Sequence, residues 1–275
     1  MSHCISPEAE KILDKKFKVL DKGFVRLVDY LGDDGRIVQA ARVSYGKGTK
    51  TYREDKGLIN YLLRNDHTSP FEQVVFTFHV KLPIFVARQW IRHRTARLNE
   101  ISGRYSVMND EFYLPAGEHV AFQSEDNKQG RSTKKTPATL RKEVRALLEK
   151  GQKEMYRQYG HLLGSNIARE LARINLPLSL YTEWYWQIDL HNLFRFLKLR
   201  LDAHAQLEIR QYAAVLHDIG GKVCPIAFEA FDEHVLNSTT FSKSEMAALR
   251  NLLAGRGAGL ERKPHERLAK KLKLG

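Results

Sequence analysis

The stretch VVFTFHVKL (residues 74–82) constrains the fold more than any other part of the chain. Phe76, Phe78, Val80 and Leu82 fall on one side of a two-residue period. Val75, Thr77, His79 and Lys81 fall on the other, which is the pattern of a strand with one apolar and one polar face. Pro83 follows at once, where a helix would begin, and IFVARQWIR then reads as that helix.

Other elements gather around this strand–helix unit. KFKVLDKG and FVRLVDYLG alternate on either side of the turn DKG and read as a strand pair. DDGRIVQAARVS carries helical spacing behind acidic residues suited to a helix start, and TYREDKGLINYLLRNDH is a second helix, ending near Asn65 before the break HTSP. Residues 115–140 are polar and unperiodic, a long surface loop. A charged amphipathic helix is predicted from about Thr139 to Gly160, and SNIARELARINL is another, stopped by Pro177. SLYTEWYWQID alternates as a strand. Asp189 is placed to cap one long helix, LHNLFRFLKLRLDAHAQLEIRQYAAVLHDI. With no repeat, composition break or linker, the expected architecture is a single α+β domain over residues 1–240. It has a mainly antiparallel sheet packed by helices, that long central helix among them, and a basic extension over 241–275. The tail GLERKPHERLAKKLKLG reads as a solubilising appendage, mobile or weakly helical.

Function starts from charge. Lys and Arg number 45 against 32 Asp and Glu, a formal net charge of +13, which steers acidic partners toward the surface without choosing among nucleic acid, an acidic membrane and nucleotides. Two cysteines, Cys4 and Cys224, are too few for a disulfide framework, and no Cys/His cluster has zinc spacing, so no metal is expected. The N-terminus lacks an apolar signal core and no uncharged run is long enough to cross a bilayer, which makes a cytoplasmic setting the expectation. Common nucleotide motifs fail. SYGKGTK lacks the leading Gly of a phosphate loop and has Gly48 where Ser or Thr is needed, and GRGAG (255–259) does not sit between a strand and a helix.

Positive charge concentrates at RHRTARLNEISGRY (92–105), directly after an apolar helix. Cations at a helix C-terminus are favoured by the dipole, which accounts for Arg92, His93 and Arg94 but not for the residues beyond them. Asn99 and Glu100, the small pair Ser102–Gly103 and then Arg104 and Tyr105 offer guanidinium forks, a hydroxyl and close backbone, the groups that hold a phosphate and a planar heterocycle. On the long helix, Leu193, Leu197, Arg200, His204 and Gln211 share a face, so Arg200 and His204 are expected inward, where an arginine needs an anionic or carbonyl partner. His191 and Arg195 form a second pair at i, i+4, as do Arg169 and Arg173, and Arg173 lies nearest the Leu–Pro break.

RHR, seven residues, then Ser (Arg92–Ser102), with Asn99, Arg104 and Tyr105, resembles the signature of the flavin-dependent thymidylate synthases. AARVSYG, HTSPFEQVVFTFHVKLPIFVARQWIRHR, LPLSLYTEWYWQIDLHNL and LKLRLDAHAQLEIRQYA extend the resemblance from about Phe17 to Phe231. It departs at Arg97, where the family usually has Ser. The resemblance implies methylation of dUMP to dTMP, with 5,10-methylenetetrahydrofolate as carbon donor, FAD as hydride carrier and NADPH as reductant, in a homotetramer whose sites are shared between subunits. Gln89, Trp90, Ile91 and Arg92, with Glu100, Ile101, Ser102, Gly103 and Arg104 from another subunit, and with Arg173, would surround dUMP. Arg200 would be the catalytic group, contacting the uracil. Ser69, Arg92, His93, Arg94, Glu100, Asp189, Leu190, His191 and Arg195 would hold FAD, with Ser44, Glu72 and Asn99 as further flavin-side candidates. The competing reading, a basic nucleic-acid-binding protein, leaves an inward-facing Arg200 unexplained.

Overall fold

The computed structural model describes residues 5–44, 52–125 and 128–272; Cys4 and all of SYGKGTK except the backbone of Ser44 lie outside them. Helix α1 (Pro7–Glu10) precedes a hairpin of β1 (Lys16–Val19) and β2 (Gly23–Leu31), followed by α2 (Asp34–Ala41) and α3 (Tyr52–Arg64). Strand β3 (Val75–Pro83) runs directly into α4 (Ile84–Trp90), as the Leu–Pro junction predicts, and β4 (Arg97–Glu100) comes next. After a long loop come α5 (Ala138–Gly164) and the single turn α6 (Arg169–Ala172). They lead to β5 (Tyr181–Asp189), α7 (Leu190–Arg200), α8 (Leu207–Val223) and α9 (Pro225–Phe231). The chain divides into two compact units, Met1–Phe231 and Asp232–Gly275, and the second holds α10 (Lys243–Leu253) and α11 (Arg262–Lys271).

The five strands are ordered β1-β2-β3-β5-β4, and every pairing is antiparallel. Central β3 pairs Phe78 with Leu27 on one side and with Trp186 on the other, so its apolar residues join those of β2 and β5 in one layer. Phe76, Phe78, Val80 and Leu82 are fully buried, as their alternation requires. Trp90 of α4 is the hub beneath them. Its ring meets Trp184, Trp186, Phe196 and Tyr212 at centroid distances of 5.6, 5.1, 4.7 and 6.0 Å. Burying a side chain of this size stabilises the fold by roughly 2–3 kcal/mol, and its position in the core fixes where α4 ends and where Arg92 emerges. A second cluster, Met108, Phe112, Tyr159, Ala172 and Leu180, packs under α5 and α6.

The structure corrects four expectations. The predicted long helix after Asp189 is two helices, because the Asp202 side chain accepts from the His204 amide at 2.8 Å and its carbonyl from the Ala205 amide at 2.9 Å. This local turn competes with the helical ladder. His204 therefore faces solvent beside Asp202, with its side chain 75% exposed, instead of sharing the interior face with Leu193 and Leu197. The long helix of the fold is instead α5, of 27 residues. SNIARELARINL forms only α6 and a tighter turn over Arg173–Asn175. Within the second unit the C-terminal tail is held in place rather than mobile: α10 opens with a Ser242/Glu245 capping box, and buried Glu245 receives Arg267 and Lys271 of α11 at 3.2 and 2.8 Å. No described helix is long and apolar enough to cross a membrane.

Candidate active site

Two cavities, each built from residues that the sequence singles out, have no lining residue in common. The first lies where α4 runs out. The Ile91 and His93 amides close the last turn on the carbonyls of Ala87 and Trp90, both at 3.0 Å, which projects Arg92, His93 and Arg94 toward α7. A cavity of about 270 Å³ opens there, lined by these three with Thr95, Ile188, Asn192, Arg195, Leu199 and Arg200. Among the described residues, four guanidinium groups line it and no carboxylate does. Arg92, Arg94 and Arg195 have no hydrogen-bond or ion-pair partner among the described residues. Positive charge held at this density without a counter-charge is the donor set of a polyanion site.

Arg200, the last residue of α7, is half-buried and held from two sides. Its Nε–H donates to His93 Nε2 at 3.0 Å, and its Nη2 donates to the Gln89 carbonyl at 2.8 Å. The Gln89 side chain in turn donates to that of Gln206, the N-cap residue of α8. Burial, then the nearby Arg92, holds the Arg200 pKa below its ordinary value; a guanidinium remains charged regardless. Burial also pushes His93 down to about 4, with Arg200 and then Arg195 acting in the same direction. The imidazole is neutral at neutral pH. Because Nε2 accepts, its proton sits on Nδ1.

The second cavity, about 280 Å³, is lined by Glu100, Ile101, Gly103, Glu170, Arg173 and Thr182 over an apolar floor of Ile84, Met108, Ile174, Leu176 and Leu180. Glu100 ends β4, and its Oε1 accepts from the Thr182 hydroxyl at 2.6 Å. Arg173 has no polar partner among the described residues. Gly103 packs so closely on it that a Cβ there would stand 3.1 Å from Arg173 Cδ. Two apolar side chains that line this cavity face solvent in the single chain, Ile101 at 43% and Ile174 at 78% exposure.

The expected residues thus divide. Arg92, His93, Arg94, Arg195 and Arg200 come together at the first cavity, with Gln89 behind Arg200. Glu100, Ile101, Gly103 and Arg173 come together at the second. Ser102 lies between two lining residues, its hydroxyl accepting from the Arg104 amide at 3.3 Å, and exposed Arg104 pairs with Glu170 at 3.2 Å. Trp90 and Leu190 are fully buried, so only their backbones could reach a ligand. Both Asp189 oxygens are engaged in capping α7 through Asn192. His191 is half-buried and lines neither cavity. Ser69 and Glu72 are exposed on the turn whose Phe71 packs against Phe194 of α7, at 6.1 Å. Ile91 is exposed at the end of α4, and Asn99 is exposed on β4 opposite Tyr185. The Ser44 side chain lies outside the described residues.

Asn192, Thr182 and Glu170 also line the cavities, and the sequence does not single them out. Asn192 carries a signal, three residues after the capping Asp189. Thr182 has none, since it depends on the β4–β5 register.

The structure is an α+β fold around an antiparallel sheet, with arginines that have no partner among the described residues in each of two cavities. Comparison with known proteins narrows the class. Residues 26–226 match the family described as thymidylate synthase complementing protein, and residues 239–275 match the thymidylate synthase ThyX C-terminal domain. A flavin-dependent thymidylate synthase of Treponema denticola is 67% identical over 96% of this chain and 99% of its own length. One from Thermus thermophilus is 60% identical over 86% of this chain and 85% of its own length. Among solved structures, a UMP/dUMP methylase from Streptomyces cacaoi, bound with 5-bromo-UMP, superposes with a TM-score of 0.72. It is 32% identical and covers 81% of this chain and 99% of its own. The chain belongs to the flavin-dependent thymidylate synthase family.

Proposed function

We propose that this protein methylates dUMP to dTMP, taking the carbon from 5,10-methylenetetrahydrofolate and reducing equivalents from NADPH through FAD, as a homotetramer with shared active sites. The observation that carries the reading is the cavity of four guanidinium groups without a carboxylate, with Arg200 held at its edge by His93 and Gln89. That donor set fits a cofactor bearing a diphosphate. Arg92, His93, Arg94 and Arg195 would hold it, and FAD, when bound there, supplies hydride to the reaction.

Uracil carbon 5 is a poor nucleophile. Covalent attack by a cysteine on carbon 6 would activate it, but Cys4 and Cys224 both lie outside the motifs shared with the family, and Cys224 is fully buried, with its thiol pushed well up by that burial. Arg200 supplies a different activation: its charge beside the ring stabilises negative charge developing on the uracil. Partner-free Arg173 suits the nucleotide phosphate. Ser102, its hydroxyl engaged by its own turn, serves as a ligand and not as a nucleophile. One chain presents the Gln89–Arg92–Arg200 group and the Glu100–Gly103–Arg173 group at separate cavities, so a complete dUMP site draws one group from each of two subunits. The exposed apolar rim around the second cavity supports such an association.

The test is dTMP formation by purified protein given dUMP, methylenetetrahydrofolate, NADPH and FAD, with FAD or NADPH omitted in parallel. Product requiring both is expected, together with loss of about 100-fold or more in kcat for Arg200→Ala. Product formed without FAD, or none from folded tetramer, refutes the reading.

A further inference from the structure

We propose that His93 is a positioning residue for Arg200, and that it does this as a neutral imidazole whose unprotonated Nε2 accepts the Arg200 Nε–H. This rests on the dUMP reading and adds a role for His93 apart from contact with the flavin.

An arginine side chain has four rotatable bonds before its guanidinium and loses considerable rotamer freedom when fixed. At the end of α7, with Leu201 beginning the break, no following helical turn packs over it. Two neighbours do the fixing instead. The Gln89 carbonyl takes Nη2 at 2.8 Å and His93 Nε2 takes Nε at 3.0 Å, so the guanidinium plane is defined by acceptors on two of its edges. Nη1 and the second Nη2 hydrogen remain for a ligand. Gln89 belongs to the last turn of α4 and His93 to the segment leaving it. Gln89 is steadied by Gln206 across the helix break, and the His93 ring meets Phe196 edge-on at 4.8 Å.

The identity of the acceptor matters. A carboxylate at position 93 would bind the guanidinium more tightly but would cancel the charge that the uracil needs. A neutral imidazole holds the guanidinium and leaves its charge intact. Neutrality is secured by surroundings: the ring is half-buried, Arg200 and Arg195 facing it are cationic, Arg92 and Arg94 line the same cavity, Phe196 is apolar, and no carboxylate lines the cavity among the described residues. Protonation would convert the acceptor into a second cation and turn Arg200 away.

Two measurements test this on full-length protein, the first loaded with FAD and the second free of it, since the cofactor's phosphates would add counter-charge beside the His93 ring. The first is a double-mutant cycle on dUMP affinity, measured by calorimetry, with His93→Phe, Arg200→Ala and both together. His93→Phe keeps a ring against Phe196 and removes the acceptor. The expected result is that it weakens dUMP binding about tenfold, the size of one lost charge-assisted hydrogen bond, and has less than about a twofold effect once Arg200 is Ala. His93→Gln, which retains an acceptor, recovers most of the loss. An undiminished effect of His93→Phe in the Arg200→Ala background overturns the proposal, since His93 would then act on the ligand directly, and so does unchanged affinity in the wild-type background. The second measurement needs no variant. Histidine-selective ¹⁵N spectra are expected to show His93 as the Nδ1–H tautomer, neutral from pH 8 down to pH 5, and titration near 6.5 or an Nε2–H tautomer refutes the idea. Failure of dTMP formation would refute the enzyme reading without altering the ¹⁵N result, which keeps the two separable.

Discussion

Gly103→Ala isolates the contact between a signature glycine and the arginine expected on the nucleotide phosphate. Gly103 does not occupy the left-handed region, so alanine is free of backbone strain, and the effect is steric. The new Cβ would stand 3.0 Å from Met108 Sδ, 3.1 Å from Arg173 Cδ and 3.3 Å from Arg173 Nη1, against an unstrained separation of about 3.5–4.0 Å. One neighbour must retreat by about half an ångström. Met108 is locked in the cluster of Phe112, Tyr159, Ala172 and Leu180, whereas Arg173 is half-buried with no polar partner among the described residues. Arg173 yields. Overpacking costs about 1–3 kcal/mol, offset by about 0.8 kcal/mol for the buried methyl, so stability falls by about 1 kcal/mol, or about 2–4 °C in Tm. A displaced guanidinium forfeits a charge-assisted hydrogen bond of about 1.5–3 kcal/mol, so dUMP affinity drops roughly ten- to a hundredfold. Calorimetric titration with dUMP beside a thermal melt reads both quantities. An affinity within twofold of wild type with a lowered Tm would show that Met108 gave way, and the reasoning would be wrong.

Further expectations concern the scaffold. Asp34 caps α9, accepting from the Ile226 and Ala227 amides at 2.9 Å each, and burial raises its carboxyl from 3.8 to about 6 against the pull of those two bonds. A carboxyl that binds its proton more tightly when folded loses stabilisation as pH rises from about 4 to about 6. Relative to Asp34→Asn, the wild type should therefore gain about 1 kcal/mol on going from pH 7 to pH 5 in urea titrations; a pH-independent difference refutes the assignment. Gly220 and Gly221 are adjacent on α8, yet a Cβ at Gly220 would fall 2.1 Å from Phe228 Cζ while one at Gly221 has its nearest atom at 3.9 Å. Gly220→Ala should cost about 3 kcal/mol or more, and Gly221→Ala should be neutral or stabilising by up to about 1 kcal/mol. Comparable melting of the two variants would contradict the packing of α8 on α9.

Legibility in the sequence tracks the strength of local pattern. β3 and most of β5 alternate cleanly because each buries one face, β2 loses its alternation at a register shift between Leu27 and Asp29, and the capping Asp189 marks the start of α7. The break at Leu201–Gln206 is hidden, since apolar residues keep helical spacing through it and only the Asp202 side-chain turn interrupts the ladder. Edge strand β4 escapes pattern reading because its four residues are all exposed and carry no apolar alternation. At the site, the density of arginines after an apolar helix is visible as chemistry. The depth of Trp90 and the partnering of Glu100 with Thr182 are not, since both depend on which elements the sheet brings side by side.

The separation of the two arginine clusters has a genetic consequence under the shared-site reading. A subunit carrying Arg200→Ala still presents an intact Arg173 cavity, and one carrying Arg173→Ala still presents an intact Arg200 cavity. Neither homotetramer would make dTMP. Co-expressed, the two inactive chains would assemble at random, and about a quarter of the sites would draw both good halves. Two null alleles of one gene would then complement each other and restore growth without thymidine, and dominance would be graded by subunit ratio.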